Sequence, residues 1–213
     1  MRHPLLPANG LYVITDGPRP DLLEAAAAAL RGGAVILQYR DKTRDTSRRL
    51  MEARALARLC SDAGALFVVN DDIALTRDCG AHAVHLGADD MDIAGARNAL
   101  GADVVIGVSC YDSLERACNL AAAGADYLAF GAFFPSPTKP HARRADATLL
   151  RAGAALGLPL VAIGGITADN AAPLIAAGAD YLAVISDVFG QDNVCAAAQR
   201  FAPLFPAPRK LPA

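Results

Sequence analysis

Eight short apolar runs separated by Ala-, Leu- and Arg-rich stretches predict an α/β fold, a single (β/α)8 (TIM) barrel with its active site at the C-terminal ends of the strands. Two further observations point the same way. Gly-Ala-Asp-Tyr-Leu-Ala occurs at 124–129 and again at 178–183, with looser versions starting at Gly33 and Gly80. The spacings of 47, 44 and 54 residues are each close to two βα units. The polar residues gather just after the apolar runs, where such barrels carry chemistry. An open doubly wound sheet is the competing architecture. It is disfavoured because no Gly-x-Gly-x-x-Gly follows the first run.

The runs at 11–15, 34–39, 66–69, 82–86, 104–108, 127–130, 160–163 and 181–185 are brief and continuously apolar. That pattern suits strands buried on both faces. Helices are expected at 20–31, 44–63, 72–79, 91–100, 112–123, 145–156, 168–177 and 189–201. Asp112, followed by Ser113-Leu114-Glu115, reads as an N-cap. Gly64, Gly80, Gly124 and Gly178 read as helix terminators. Residues 1–202 form one barrel domain in this reading, and 203–213 a Pro-rich tail.

The chain has 213 residues, with 54% apolar and 20% charged, enough to build a core without a disulfide or structural metal. A net charge of −2 gives no basic field for nucleic acid or an anionic membrane. Five Cys without a CxxC pair read as small hydrophobes in a reducing compartment, with Cys79 and Cys118 in the core. The N-terminus lacks the apolar stretch of a signal peptide, and no run reaches the length of a membrane span. The expected location is the cytoplasm.

The strand exits carry the functional reading. After the second strand, period-2 alternation puts Gln38, Arg40 and Lys42 on one side, opposite Tyr39 and Asp41. Three donors on one side suit an anion or a polar heterocycle; an ordinary charged loop is the alternative. The third and fourth exits give Asn70-Asp71-Asp72 and Gly87-Ala88-Asp89-Asp90. Carboxylates on adjacent strands can hold one Mg2+, and basic donors beside them suit a metal–polyphosphate complex. Helix capping by Asp71 or Asp90 is the alternative. The fifth exit gives Ser109, and the sixth a Pro-stiffened loop with Ser136, Thr138 and Lys139. The seventh gives Gly164-Gly165 and the eighth Ile185-Ser186, the place where barrels often bind phosphate. Only three Lys accompany 17 Arg, and two of those three, Lys42 and Lys139, stand at strand exits. His82 and His85 read as packing or supporting groups, and Arg48, Arg49, Arg54 and Arg58 as a solvated helix face. Two anion-binding halves imply two phosphorylated substrates, or one bisphosphorylated one.

Gln-x-Arg-x-Lys at 38–42, Asn-Asp at 70–71, His-Leu-Gly-x-x-Asp at 85–90, Gly-Val-Ser at 107–109, Phe-Gly-x-Phe-Phe-Pro-Ser-x-Thr-Lys at 130–139, Ala-Ile-Gly-Gly-Ile at 162–166 and Val-Ile-Ser at 184–186 resemble the thiamine-phosphate synthase family. The match runs in order from about residue 11 to 190. The resemblance implies a transferase that joins hydroxymethylpyrimidine diphosphate to a thiazole phosphate, with Mg2+ assisting departure of diphosphate. It implies that Gln38, Arg40, Lys42, Asn70, Ser109 and Lys139 hold the pyrimidine diphosphate. Lys42, Lys139, Arg40 and Ser109 would be the catalytic members, Asp71 and Asp90 would bind Mg2+, and Ser136, Thr138, Gly165, Ile185 and Ser186 would hold the thiazole phosphate. Ala88, Ala132 and Asp187 depart from the family's usual residues. A carboxylate at 187 is compatible with a phosphate site only if it is paired or turned away. A thiazole tautomerase of the same barrel family, another phosphate-binding barrel isomerase and a non-catalytic phosphate-binding barrel are the alternatives.

Overall fold

The computed structural model describes residues 2–135 and 144–205. Eight parallel strands, β1 (Gly10–Ile14), β2 (Ala34–Tyr39), β3 (Leu66–Asn70), β4 (Ala83–Leu86), β5 (Val105–Tyr111), β6 (Tyr127–Gly131), β7 (Leu160–Ile163) and β8 (Tyr181–Val184), close into a barrel in sequence order. β8 pairs with β1, with Leu11 opposite Leu182. The fold class is the one the sequence predicts.

The strands bury both faces because alternate residues serve two cores. Tyr12, Ile14, Ile36, Val68, Tyr127 and Val161 point into the barrel. Leu11, Val13, Leu37, Val69, Leu128 and Leu182 pack outward under the helices. The interior is therefore filled, and a ligand has room only at an end. One end is closed by the N-terminal segment, where Leu6 enters the inner core and the Tyr181 hydroxyl donates to the Pro7 carbonyl.

The helices α1 (Leu22–Arg31), α2 (Thr46–Asp62), α3 (Ile73–Cys79), α4 (Ile93–Leu100), α5 (Leu114–Ala122), α6 (Thr148–Gly153), α7 (Ala172–Ala176), α8 (Ser186–Phe189) and α9 (Val194–Gln199) follow the strands. Gly64, Gly80, Gly124 and Gly178 have φ between 67° and 111°, as terminating glycines do. Among the described residues no helix is long and apolar enough to cross a membrane.

Several expectations need correction. Ser113, not Asp112, caps α5, and its side chain accepts from Arg116 N. The expected helix at 168–177 is only α7, because Asn170 ties the preceding turn by accepting from Thr167 N at 2.9 Å and donating to Gly165 O at 3.0 Å. The expected helix at 189–201 is broken after α8 and restarts at α9, where Asn193 accepts from Ala196 N. Cys118 is exposed on α5 and Cys79 only half-buried, whereas Cys60 and Cys110 are buried. Arg48 and Arg49 are not a solvated face. Arg48 Nη2 donates to buried Asp41 at 2.6 Å and Nη1 to Glu52 at 2.9 Å, while Arg49 Nη2 reaches Asp72 at 3.0 Å. Arg54 and Arg58 are exposed, as expected.

Candidate active site

A cavity of about 540 Å3 opens at the C-terminal ends of the strands, walled by Tyr12, Gln38, Arg40, Asn70, His85 and Ser109 among others. These six come from five successive strands or their exits, β1 to β5, with Gln38 and Arg40 both from β2, and barrel closure brings them together. The alternation expected after β2 holds for Gln38 and Arg40, whereas Lys42 is exposed and is not among the residues lining the cavity. Gln38 and Arg40 line the cavity, whereas Tyr39 and Asp41 turn outward to Glu52 and Arg48 of α2. Arg40 is fixed through its backbone, with its N donating to Thr15 Oγ1 at 2.8 Å.

Lys42 is drawn to the same rim by Asp71, its Nζ bonding Oδ2. Asn70 Nδ2 donates to that same oxygen at 2.6 Å. Asp71 adopts φ +64°, a left-handed conformation that Asp tolerates better than most side chains. It does not cap a helix. Asp72 caps α3 by accepting from Leu75 N, and Asp92 caps α4 by accepting from Gly95 N. Capping is thus done by neighbouring carboxylates, and both Asp71 and Asp90 are left at the rim. Asp90 Oδ2 accepts from Gly87 N at 2.5 Å. Its acidity is weakened first by burial and then by the adjacent Asp71 carboxylate, with the Gly87 N–H and Lys42 pulling the other way. Two carboxylates placed side by side, with Asp71 resisting the charge on Asp90, are a donor set that a hard divalent cation relieves. Among the described residues no group of three or more His, Cys, Asp or Glu forms a protein-only metal cage.

A second cavity of about 240 Å3 adjoins the first and is lined by Gly165, Thr167, Ile185, Ser186 and Gln191. Ile163, Gly164, Ala183 and Ile185 wall both cavities. The Gly164-Gly165 pair is required by a close approach. The segment leaving β6 crosses it, with Phe134 N donating to Gly164 O at 2.9 Å. Gly165 has φ +62°, and a Cβ there would lie 2.3 Å from Pro135 O. Asp187 is among the residues lining this cavity, and its carboxylate is paired. Its Oδ2 accepts from Ala168 N at 3.0 Å and sits 3.9 Å from Arg200. Ser136, Thr138 and Lys139 lie outside the described residues.

Tyr12, Tyr127 and Arg116 were not singled out from the sequence, and His85 has a larger place than packing alone. Arg116 Nε donates to Ser109 O at 2.8 Å and so fixes the end of β5. Gln38 Nε2 donates to Tyr12 OH at 2.6 Å, Tyr12 OH lies 2.9 Å from Tyr127 OH, and the two ring nitrogens of His85 lie 3.0 Å from Tyr127 OH and 2.9 Å from Ser109 Oγ. Gly107 makes room for this row, since a Cβ there would fall 1.8 Å from the Tyr127 ring. The sequence signal was strand parity: Tyr12, His85 and Tyr127 occupy inward positions in otherwise apolar runs.

Comparison with known proteins agrees with this geometry. A family profile described as thiamine monophosphate synthase matches residues 11–188. The chain is 56% identical over 192 residues to a thiamine-phosphate synthase of Halorhodospira halophila, covering 90% of this chain and 91% of that one. It is 56% identical over 201 residues to one of Chromobacterium violaceum, covering 93% and 97%. The solved thiamine phosphate pyrophosphorylase of Pyrococcus furiosus superposes with a TM-score of 0.84 at 35% identity, covering 92% of this chain and 95% of that one. A 3-hexulose-6-phosphate synthase superposes at 0.71 with 18% identity, a likeness of fold alone. The chain belongs to the thiamine monophosphate synthase family.

Proposed function

We propose that the barrel mouth joins hydroxymethylpyrimidine diphosphate to a (carboxy)thiazole phosphate, releasing diphosphate and giving thiamine phosphate. One observation carries this assignment of substrates to places. Two cavities share a wall, one lined by Gln38, Arg40 and Asn70, with Asp71 and Lys42 bonded in turn beyond Asn70, and the other by a glycine turn and a serine.

In this reading Gln38 and Ser109 orient the pyrimidine, while Arg40, Lys42 and Asn70 hold the diphosphate. Asp71 and Asp90 would hold Mg2+ through their carboxylate oxygens. When bound, the ion supplies charge neutralisation for the departing diphosphate. Gly165, Ile185 and Ser186 hold the thiazole phosphate so that the thiazole nitrogen faces the pyrimidine methylene across the shared wall. Ser136, Thr138 and Lys139 belong to the same two substrate sites by their place in the family motif. The bond from the methylene carbon to the diphosphate oxygen breaks, and the nitrogen lone pair forms the new bond. The methylene becomes cation-like on the way, so the protein contributes mainly charge stabilisation and alignment. The compartment we propose is the cytoplasm, in keeping with five free thiols.

The test is a coupling assay with purified protein, both substrates and Mg2+. Thiamine phosphate should form in step with diphosphate release, and both should stop on chelation. Isomerisation of a thiazole carboxylate phosphate without diphosphate release would overturn the reading in favour of a tautomerase.

A further inference from the structure

We infer that Tyr12, Tyr127 and His85 are positioning residues: the buried hydrogen-bond row through them sets Ser109 as a donor and Gln38 as an acceptor toward the large cavity. The inference rests on the assignment of Gln38 and Ser109 to the pyrimidine.

The polarity of the row follows from counting hydrogens. Gln38 Nε2 can only donate, so at 2.6 Å the Tyr12 oxygen accepts. A phenol carries one hydrogen, and that of Tyr12 is then left for Tyr127 OH at 2.9 Å. Tyr127 in turn gives its hydrogen to His85 Nδ1 at 3.0 Å. A neutral imidazole that accepts at Nδ1 carries its hydrogen on Nε2, which donates to Ser109 Oγ at 2.9 Å. Ser109 keeps its own hydrogen for the cavity it lines. At the opposite end, commitment of Nε2 leaves Gln38 Oε1 as the acceptor.

The row is well placed to hold this arrangement. Tyr12, Tyr127 and Gln38 are 1%, 0% and 3% exposed, so water does not readily replace a broken link. Burial makes both phenols much weaker acids than an ordinary tyrosine, which keeps their hydrogens in place. The His85 ring stacks on Tyr127 at 5.6 Å with planes 24° apart, and Tyr12 meets Tyr127 edge-on at 6.2 Å. Turning the Gln38 amide over would reverse the row link by link: His85 would carry its hydrogen on Nδ1, Ser109 would become an acceptor and Gln38 a donor. The two polarities are thus mutually exclusive, and each corresponds to one tautomer of His85.

A donor and an acceptor on one cavity wall recognise a planar heterocycle that offers an amino N–H and a ring nitrogen. An analogue with an oxygen in place of the amino group would set an acceptor against Gln38 Oε1. Mismatch of this kind discriminates strongly, because a buried polar group loses its partner.

The test combines a spectroscopic and a kinetic arm on the full chain. Long-range 1H–15N correlation spectra of ligand-free protein labelled at its four histidines, with His85 assigned from the His85→Asn spectrum, read the tautomer directly. The expected result is a protonated Nε2 and an unprotonated Nδ1. Tyr127→Phe keeps the ring but removes the hydrogen given to Nδ1, so His85 should no longer hold a single tautomer. Its KM for the pyrimidine diphosphate should rise about tenfold, the cost of one misdirected hydrogen bond, with the KM for the thiazole phosphate unchanged. Tyr12→Phe breaks the row one link earlier and should shift both readouts in the same direction. A wild-type His85 protonated at Nδ1, or a Tyr127→Phe protein of native stability with unchanged tautomer and KM, would overturn the inference. If the wild-type protein couples no substrates, the proposed reaction fails, and the tautomer alone then decides the row.

Discussion

Replacing Gly165 by Ala tests the junction between the two cavities, and its size can be worked from the structure. Gly165 has φ +62°, and a left-handed backbone costs a residue with a Cβ about 1–2 kcal/mol. The added Cβ would also lie 2.3 Å from Pro135 O and 2.7 Å from Phe134 O, both backbone atoms that cannot swing aside. Overpacking of this kind costs a further ~1–3 kcal/mol. Gly64→Ala separates the two contributions, because Gly64 has φ +67° with nothing within 4 Å. For a chain of this length each kcal/mol moves Tm by about 2–4 °C, so Gly165→Ala should melt roughly 2–12 °C below Gly64→Ala. The segment leaving β6 should give way, since it crosses Gly165 and lines the smaller cavity through Pro135. Under the proposed function the KM for the thiazole phosphate should then rise about tenfold, and that for the pyrimidine diphosphate by much less. Thermal melts and steady-state kinetics with each substrate varied in turn measure both. Equal melting of the two variants together with an unchanged thiazole-phosphate KM would refute the account of this junction.

The remaining predictions concern charge and access. Lys42→Arg keeps the charge but replaces a compact ammonium by a planar fork beside Asp71, so it should not restore wild-type kcat/KM; full activity in steady-state assays would show that charge alone suffices there. Mg2+ should raise the melting temperature of the wild-type protein, and Asp90→Asn should abolish that rise while leaving Gly87 N an oxygen acceptor; a persistent Mg2+ response would remove Asp90 from the ion's ligands. Burial pushes the Cys60 and Cys110 thiols up to about 12, so a disulfide reagent at pH 8 should label exposed Cys118 in the native protein and reach Cys60 and Cys110 only on unfolding. The sign of the linked stability follows: the folded chain holds these two protons more tightly than the unfolded one, so their contribution is full below the ordinary thiol range and is lost as pH rises toward about 12. Urea melts across the alkaline range would show a rise instead if that sign were wrong.

The sequence by itself determined the strand order and most of the rim. Short apolar runs with glycine-ended helices between them leave few ways to bury eight strands on both faces, and the barrel is the closed one. Because strand exits in a barrel face one mouth, reading them in order already put Gln38, Arg40, Asn70 and Ser109 around one space. Local chemistry was less legible. Whether Asp71 or Asp72 caps α3 turns on a backbone angle, and Asp71 escapes capping because it sits at φ +64°. The break between α8 and α9, and the shortness of α7, depend on side-chain bonds from Asn193 and Asn170 that compete with helix. The row from Gln38 to Ser109 was decided only by tertiary structure. Tyr12, His85 and Tyr127 are 42 or more residues apart in sequence, and read singly each is a buried aromatic in an apolar run. Barrel closure brings β1, β2, β4, β5 and β6 around one interior, and the glycine at 107 leaves space for the Tyr127 ring. Periodicity specifies which way a side chain faces; which polar atoms then meet inside depends on register and shear, which no single strand contains.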